Sequence, residues 1–286
     1  MIARASRSRP IVMHEGMEVV PVRRWGRQLL AAVVAVIVVT VVYGFASNPN
    51  IKWSVVGEYL VSPAILEGLL GTLELTLWSM LFATLVAVVI AVMRLSDSTI
   101  ISGFAGGYVF IFRGIPMIVL LILVGNLGLF FKSFSLGIPF TEITFVSVRT
   151  KDMMTPFVAS IIGLSLAGSG YMAEIVRAGL LSVGRGQREA ATALGCSPAT
   201  TLRYIVLPQA LKVLVPPMGN EMISMLKATA VVSVIAGGDL LTSAMGISGV
   251  NYRTIELLIV ATIWYLLVIT LLSIAQYFVE RRAAEK

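Results

Sequence analysis

Apolar residues along the chain gather into long runs, separated by short segments where charged residues, Gly and Pro collect. A helix rising about 1.5 Å per residue needs roughly 20 apolar residues to cross some 30 Å of hydrocarbon. Six runs approach or exceed that length. The first, Leu29 to Ala46, is uncharged and follows Arg23, Arg24 and Arg27. The second, Ala64 to Met93, carries Glu67 and Glu74 and stops at Arg94. The third begins near Ile115, after Arg113, and ends at Phe131 before Lys132. The fourth starts at Pro156, a residue suited to a first helical turn, and continues past Tyr171 to Val183. The fifth starts near Leu211 and is interrupted by Asn220, Glu221 and Lys227. The sixth, Leu257 to Val279, is uncharged until Glu280, Arg281 and Arg282. The pattern predicts an all-α polytopic membrane protein with six transmembrane helices.

Cations in short loops favour the cytoplasmic side, and they set the expected orientation. Arg4, Arg7, Arg9, Arg23, Arg24 and Arg27 place residues 1–28 in the cytoplasm, and six crossings return Arg281, Arg282 and Lys286 to the same side. Both termini are therefore expected to be cytoplasmic. The segment 184–210, with Arg185, Arg188 and Arg203, falls on that side too, whereas 47–63, 132–155 and 237–255 fall outside. Lys132, Arg149 and Lys151 run against this bias, tempered by Glu142 and Asp152. Gly44-Phe45-Ala46 offers small residues to a signal peptidase, but the basic leader and the apolar run both exceed signal-peptide dimensions. The run 29–46 is read as a retained anchor ahead of a core domain spanning 64–282. Gly237-Gly238, Gly246 and Gly249 fit either an irregular outer gate or a plain external loop, and Pro216-Pro217 is expected to loosen or kink the fifth helix.

Composition closes off other classes. Hydrophobic residues make up 57% of the 286 positions and charged residues 13%, with a mean hydropathy of +0.92; soluble domains carry about 25% charged residues. One cysteine, Cys196, excludes an internal disulfide, and one histidine, His14, cannot by itself supply a metal cluster or a catalytic triad. The net charge of +7 lies beside the apolar runs rather than on an aromatic-interleaved face, so membrane topology explains it and nucleic acid is not an expected partner. No phosphate-binding G-x4-G-K-[ST] loop occurs, so energy for any active process must come from another chain.

Between the fourth and fifth runs lies a polar segment with strong local punctuation. Gln187 to Leu194 suits a short helix, with Gly195 where a left-handed C-terminal cap is expected. Ser197-Pro198 reads as an N-cap followed by proline, starting a second helix toward Leu207-Pro208. Ala190, Ala191 and Ala193 would allow a partner's surface to approach closely, and Glu189 offers a carboxylate to it.

The residues Glu189, Ala190, Ala191, Gly195, Ile205, Leu207 and Pro208 form the pattern E-A-A-x3-G-x9-I-x-L-P. It resembles the signature of permease subunits of binding-protein-dependent ATP-binding-cassette importers. Further segments resemble the polar amino acid branch, which serves histidine, glutamine, glutamate and arginine. They are Phe112-Arg113-Gly114-Ile115-Pro116, Tyr171 to Gly179, Leu207 to Ala210, Pro216 to Glu221, and Ile223 to Thr229. The resemblance covers Leu66 to Arg282. Ala230 departs from it, standing where the branch usually has serine, and the first run is one extra N-terminal helix added to a five-helix permease core.

The resemblance implies a translocation subunit in a bacterial cytoplasmic membrane, paired with a second permease, either the same chain or a homologue. A cytosolic ATPase dimer that binds ATP and Mg would dock on the loop 184–210, and an extracytoplasmic solute-binding protein would deliver the amino acid. The chain itself would carry no cofactor and perform no catalysis. The competing classes are a secondary amino acid transporter or channel needing no ATPase, and a non-transporting membrane scaffold or enzyme subunit. Intramembrane polar groups are candidates for the path, since each is costly in hydrocarbon. Glu221, Lys227, Asn220 and Glu74 form that set. Glu221 and Lys227 are six residues apart, on different helix faces, and are not expected to pair. Glu174 and Arg177, three apart, are expected to form an ion pair, and Arg113 to anchor the inner interface.

Overall fold

The computed structural model describes residues 25–137 and 144–285. Arg4, Arg7, Arg9, Arg23 and Arg24 of the basic leader, together with His14, Glu142 and Lys286, lie outside the described residues. In chain order the first helices are α1 (Trp25–Ala46), α2 (Trp53–Leu60), α3 (Pro63–Arg94), α4 (Thr99–Gly114), α5 (Met117–Gly125) and the single turn α6 (Leu127–Phe130). An antiparallel hairpin, β1 (Ser133–Gly137) with β2 (Thr144–Arg149), leads to another turn, α7 (Thr150–Met153). There follow α8 (Pro156–Ser182), α9 (Arg185–Ala193), α10 (Pro198–Thr201), α11 (Leu207–Ala228), α12 (Leu240–Asn251) and α13 (Thr254–Glu285). A π-helical turn, Leu202–Val206, joins α10 to α11, and a 3₁₀ turn, Thr229–Ile235, extends α11.

Four helices, α1, α3, α8 and α13, are each long and apolar enough to cross a membrane. Two bent pairs raise the number to six, α4 with α5 at 99° and the stretch 198–235 with α12 at 40°. The six-span all-α architecture holds on that reckoning, with the hairpin as a small addition. The chain divides at Ile51 into a first unit holding α1 and a second from Lys52 onward. The side chains of α1 are uncharged beyond Arg27 and mostly apolar all round, as a lipid-immersed helix requires.

Within the second unit, α3 and α8 form the central pair. The buried side of α3 is a row of small and medium residues, Gly68, Thr72, Thr76, Ser79, Ala83, Ala87 and Ala91, spaced three to four apart. On α8, Ser165 meets Ser79, a side-chain carbon on Gly168 would lie 3.4 Å from Ala83 Cβ, and Met172 and Ala173 cluster with Ala87 and Ile90, while Gly163 and Gly170 on another side make room for Leu121 of α5 and Arg113 of α4. Lipid supplies no hydrophobic drive between apolar helices, so close backbone approach through small residues and interhelical hydrogen bonds must hold them. Ser165 Oγ accordingly donates to the Ser79 carbonyl at 3.3 Å, and the Tyr108 hydroxyl of α4 meets Ser169 Oγ at 2.6 Å.

Two spans differ from the sequence reading. The third is not one helix from Ile115 to Phe131. Pro116 disfavours helical backbone at the preceding residue, Ile115 is extended (φ −73°, ψ 127°), and the chain turns sharply there. Nine-residue α5 is only about 14 Å long, too short to cross alone, and α4 precedes it across a 99° bend. The hydropathy pattern passes over α4 because Ser102, Gly103, Gly106 and Gly107 dilute it; its buried residues, Ala105 and Val109, pack on Ala87, Ile90 and Met172.

The fifth span does not begin at Leu211, and the second loop helix does not stop at Leu207-Pro208. The π-helical turn, in which the Leu207 N–H reaches the Leu202 carbonyl, carries the helix past Pro208, which has no N–H to donate. Pro216 and Pro217 lie inside a helix that continues to Ala228. The break falls later, at Ala236 (φ 53°) and Gly238 (φ 87°), where both residues are left-handed. Gly237-Gly238 therefore do interrupt the span, but Gly246 and Gly249 sit within α12. That helix buries Leu240 and Ala244 in a cluster with Val56 of α2, Ile65 of α3 and Leu257 of α13, so it is no plain loop.

Candidate functional site

The segment joining α8 to α11 takes the punctuation expected of it. α9 ends in a double hydrogen-bonded cap, with Gly195 N–H donating to the Thr192 carbonyl at 2.9 Å and Cys196 N–H to the Ala191 carbonyl at 3.0 Å. That cap needs a left-handed residue, and Gly195 provides it at φ 76°, with open space for 4 Å around the point a side-chain carbon would occupy. Next, Ser197 Oγ accepts from the Thr200 N–H at 3.2 Å, and Pro198 occupies the first turn of α10.

The seven residues of the sequence pattern are not equivalent in space. Glu189, Ala190, Gly195, Leu207 and Pro208 are exposed, and Ile205 is half-buried. Ala191 turns into the protein at 2% exposure, so Ala190 and Ala193 are left to face outward. Glu189 has no ion-pair partner among the described residues. Leu194, 84% exposed at the tip of α9, adds an apolar contact that lies outside the pattern. The arrangement is a short helix with a hydrogen-bonded C-terminal cap, presenting a carboxylate, two methyl groups and one leucine to solvent.

The polar groups within the spans are dispersed. Glu221 lines a cavity of about 320 Å³ together with Met117, Gly168, Tyr171, Ser224 and Ala228. The bend at Pro116 brings Met117 there, which ties this cavity to the broken third span. Asn220 faces elsewhere: its Oδ1 accepts from Gln276 Nε2 of α13 at 3.2 Å, and the same nitrogen donates to the Pro216 carbonyl at 3.3 Å and to Glu280 Oε1 at 2.6 Å. Lys227 and Glu74 are exposed and line no cavity with Glu221. As expected, Glu221 and Lys227 do not pair.

The expected pair of Glu174 and Arg177 forms, with Arg177 Nη2 at 2.8 Å and Nε at 3.0 Å from Glu174 Oε2. Arg94 at the end of α3 approaches the other oxygen at 3.8 Å, so the pair also links two spans. Arg113 lies 5.1 Å above the centre of the Tyr171 ring. Gly170 permits this, since a side-chain carbon there would meet Arg113 Cγ at 3.0 Å. No helical spacing announces the Arg113–Tyr171 or Arg94–Glu174 contacts, because their partners come from different helices.

Comparison with known proteins agrees with this architecture. The family described as binding-protein-dependent transport system inner membrane component matches residues 79–285. The arginine transport system permease protein ArgU of Corynebacterium glutamicum is 36% identical over 266 residues, covering 93% of this chain and 82% of the relative. The arginine transport system permease protein ArtQ of Bacillus subtilis is 31% identical over 220 residues, 77% of this chain and 92% of its own length. Among solved structures, an amino acid ABC transporter crystallised with histidines is similar at a TM-score of 0.65 and 35% identity, over 77% of this chain and 94% of that one.

Proposed function

From the premise that the chain belongs to the binding-protein-dependent transport system inner membrane component family, we propose that it is the translocating subunit of an ATP-driven importer of polar amino acids. The relatives with arginine and glutamine transport names support that substrate class. The observation that carries the mechanism is the exposed helix α9, closed by a two-bond C-terminal cap, between two long spans. A cytosolic ATPase dimer docks on Glu189, Ala190, Leu194 and Gly195. Its closure on ATP and Mg moves the loop, and α8 and α11 move with it, so that the cavity lined by Glu221 opens alternately to the two sides.

In this reading a second permease subunit completes the path, and a solute-binding protein delivers substrate from outside. Glu221 receives the substrate's ammonium or cationic side chain, a role suited to an acid held in a small cavity beside the Tyr171 ring. Glu74 and Lys227, both exposed, face the second subunit across the path. Asn220 acts indirectly, through its tie to Gln276. Both termini and the loop 184–210 lie on the cytosolic side, and this chain hydrolyses no ATP itself.

The test is co-purification from native membranes followed by reconstitution with the cognate ATPase and binding protein. An amino acid delivered by that binding protein should stimulate ATP hydrolysis. Gly195→Asp should abolish uptake while the protein still inserts. Normal uptake by this variant would remove the docking role.

A further inference from the structure

The docking helix is fastened to the spans in an unequal way. On one side α10 runs through the π-helical turn into α11 without interruption. On the other, α8 ends at Ser182, and α9 starts at Arg185 after a turn at Val183 and Gly184. Across that turn Arg188 Nη2 donates to the Leu180 carbonyl at 2.6 Å. Leu180 lies in the last turn of α8, where carbonyls have no partner within the helix and the helix dipole is negative, so a guanidinium is the group best suited to bind there. Arg188 Nε is itself buried and has no other hydrogen-bond partner, which leaves the side chain anchored at its tip.

Behind this bond lies an apolar cavity of about 640 Å³. Val92, Leu95 and Ser96 at the end of α3 form one wall, and Arg188, Cys196 and Leu202 form part of the other. α9 is therefore not packed against the end of α3, although Ala91 of α3 does pack with Leu180, Val183 and Val206 on either side of α9. Close-packed interiors transmit displacement, whereas this open space leaves α9 without a packed route into the end of α3.

We propose that Arg188 is a positioning residue for coupling, a strut that carries displacement of α9 into the end of α8. This rests on the reading of α9 as the ATPase docking helix. Each docking event would then pull on α8 through the Leu180 carbonyl and on α11 through the π-helical turn, moving the two spans together.

The experiment uses the full complex in proteoliposomes with its ATPase and binding protein, comparing wild type, Arg188→Gln and Arg188→Lys. ATP hydrolysed per amino acid imported is measured beside ATPase co-purification and nucleotide-dependent hydrogen exchange at the C-terminal amides of α8. Arg188→Gln should co-purify normally, consume on the order of tenfold more ATP per amino acid, as expected for losing one charge-assisted bond, and lose the exchange response at α8. Arg188→Lys, whose ammonium still reaches a carbonyl, should restore part of both. An unchanged ratio with normal co-purification overturns the strut. Loss of co-purification in Arg188→Gln also overturns it, by assigning Arg188 to the docking surface. Failure of the wild-type protein to capture any ATPase sinks the docking reading itself, and so is distinguishable from failure of the strut alone.

Discussion

The two ends of the α3–α8 pair are built on opposite plans. At the end where α3 and α8 begin, the broken span lies in backbone contact with its neighbours: a side-chain carbon on Gly71 would sit 2.1 Å from the Gly238 carbonyl oxygen, and one on Gly68 2.4 Å from Ser243 Oγ. The Leu240 N–H donates to Thr72 Oγ1 at 2.9 Å, and fully buried Asp239 caps α12, accepting from Leu241 N–H at 2.9 Å, from Thr242 N–H at 3.3 Å and from the Thr242 hydroxyl. At the opposite end, Gly195 meets open space, and α9 is separated from α3 by a cavity. Both ends contain a left-handed glycine and a side-chain cap. The difference lies in what surrounds them: packed backbone at one end, open space at the other.

Substitutions at the two ends should separate along this line. The largest effect is expected for Gly71→Ala, which pushes backbone against backbone and should destabilise the protein by about 3 kcal/mol, near the upper end for overpacking. Thermal unfolding of the detergent-solubilised protein measures this, and a near wild-type midpoint would show that the break yields after all. Asp239→Ala removes the α12 cap and leaves buried donors unpaired, for an expected loss of about 2 kcal/mol by the same assay. Asp239→Asn keeps one acceptor and should lose less.

At the open end the same kinds of change should leave global unfolding almost untouched. Gly195→Ala has room for its methyl group and suffers only the left-handed backbone, about 1 to 2 kcal/mol confined to the loop; coupled uptake should fall while the unfolding midpoint holds. A midpoint that falls as far as for Asp239→Ala would erase the contrast between the ends. Ser197→Ala should be the mildest, with the Thr200 amide exchanging about fivefold faster, the equivalent of ~1 kcal/mol of lost cap.

Much of the open end was legible in the sequence. Gly195, Ser197 and Pro198 each act on their own few residues of backbone, so their identities alone announce the caps. The pattern did not distinguish Ala190 from Ala191, since which methyl group faces inward depends on the angle at which α9 leaves α8. The closed end was far less legible. Gly237 and Gly238 marked a break, but nothing local shows that Gly68 and Gly71, some 170 residues earlier, make room for it.

Hydropathy and local punctuation determined that this chain is helical and membrane-spanning, where α1, α3, α8 and α13 run, and that a capped polar loop follows the fourth span. These features follow from transfer of local segments into hydrocarbon and from backbone preferences of single residues. The tertiary structure alone decided that α4 and α5 part at a 99° bend, that Glu221 meets a cavity while Asn220 meets Gln276, and that Arg188 clasps the Leu180 carbonyl. Each depends on which face of one helix meets another, and in lipid that choice is made by small-residue packing and hydrogen bonds between distant segments, which no run of neighbouring residues records.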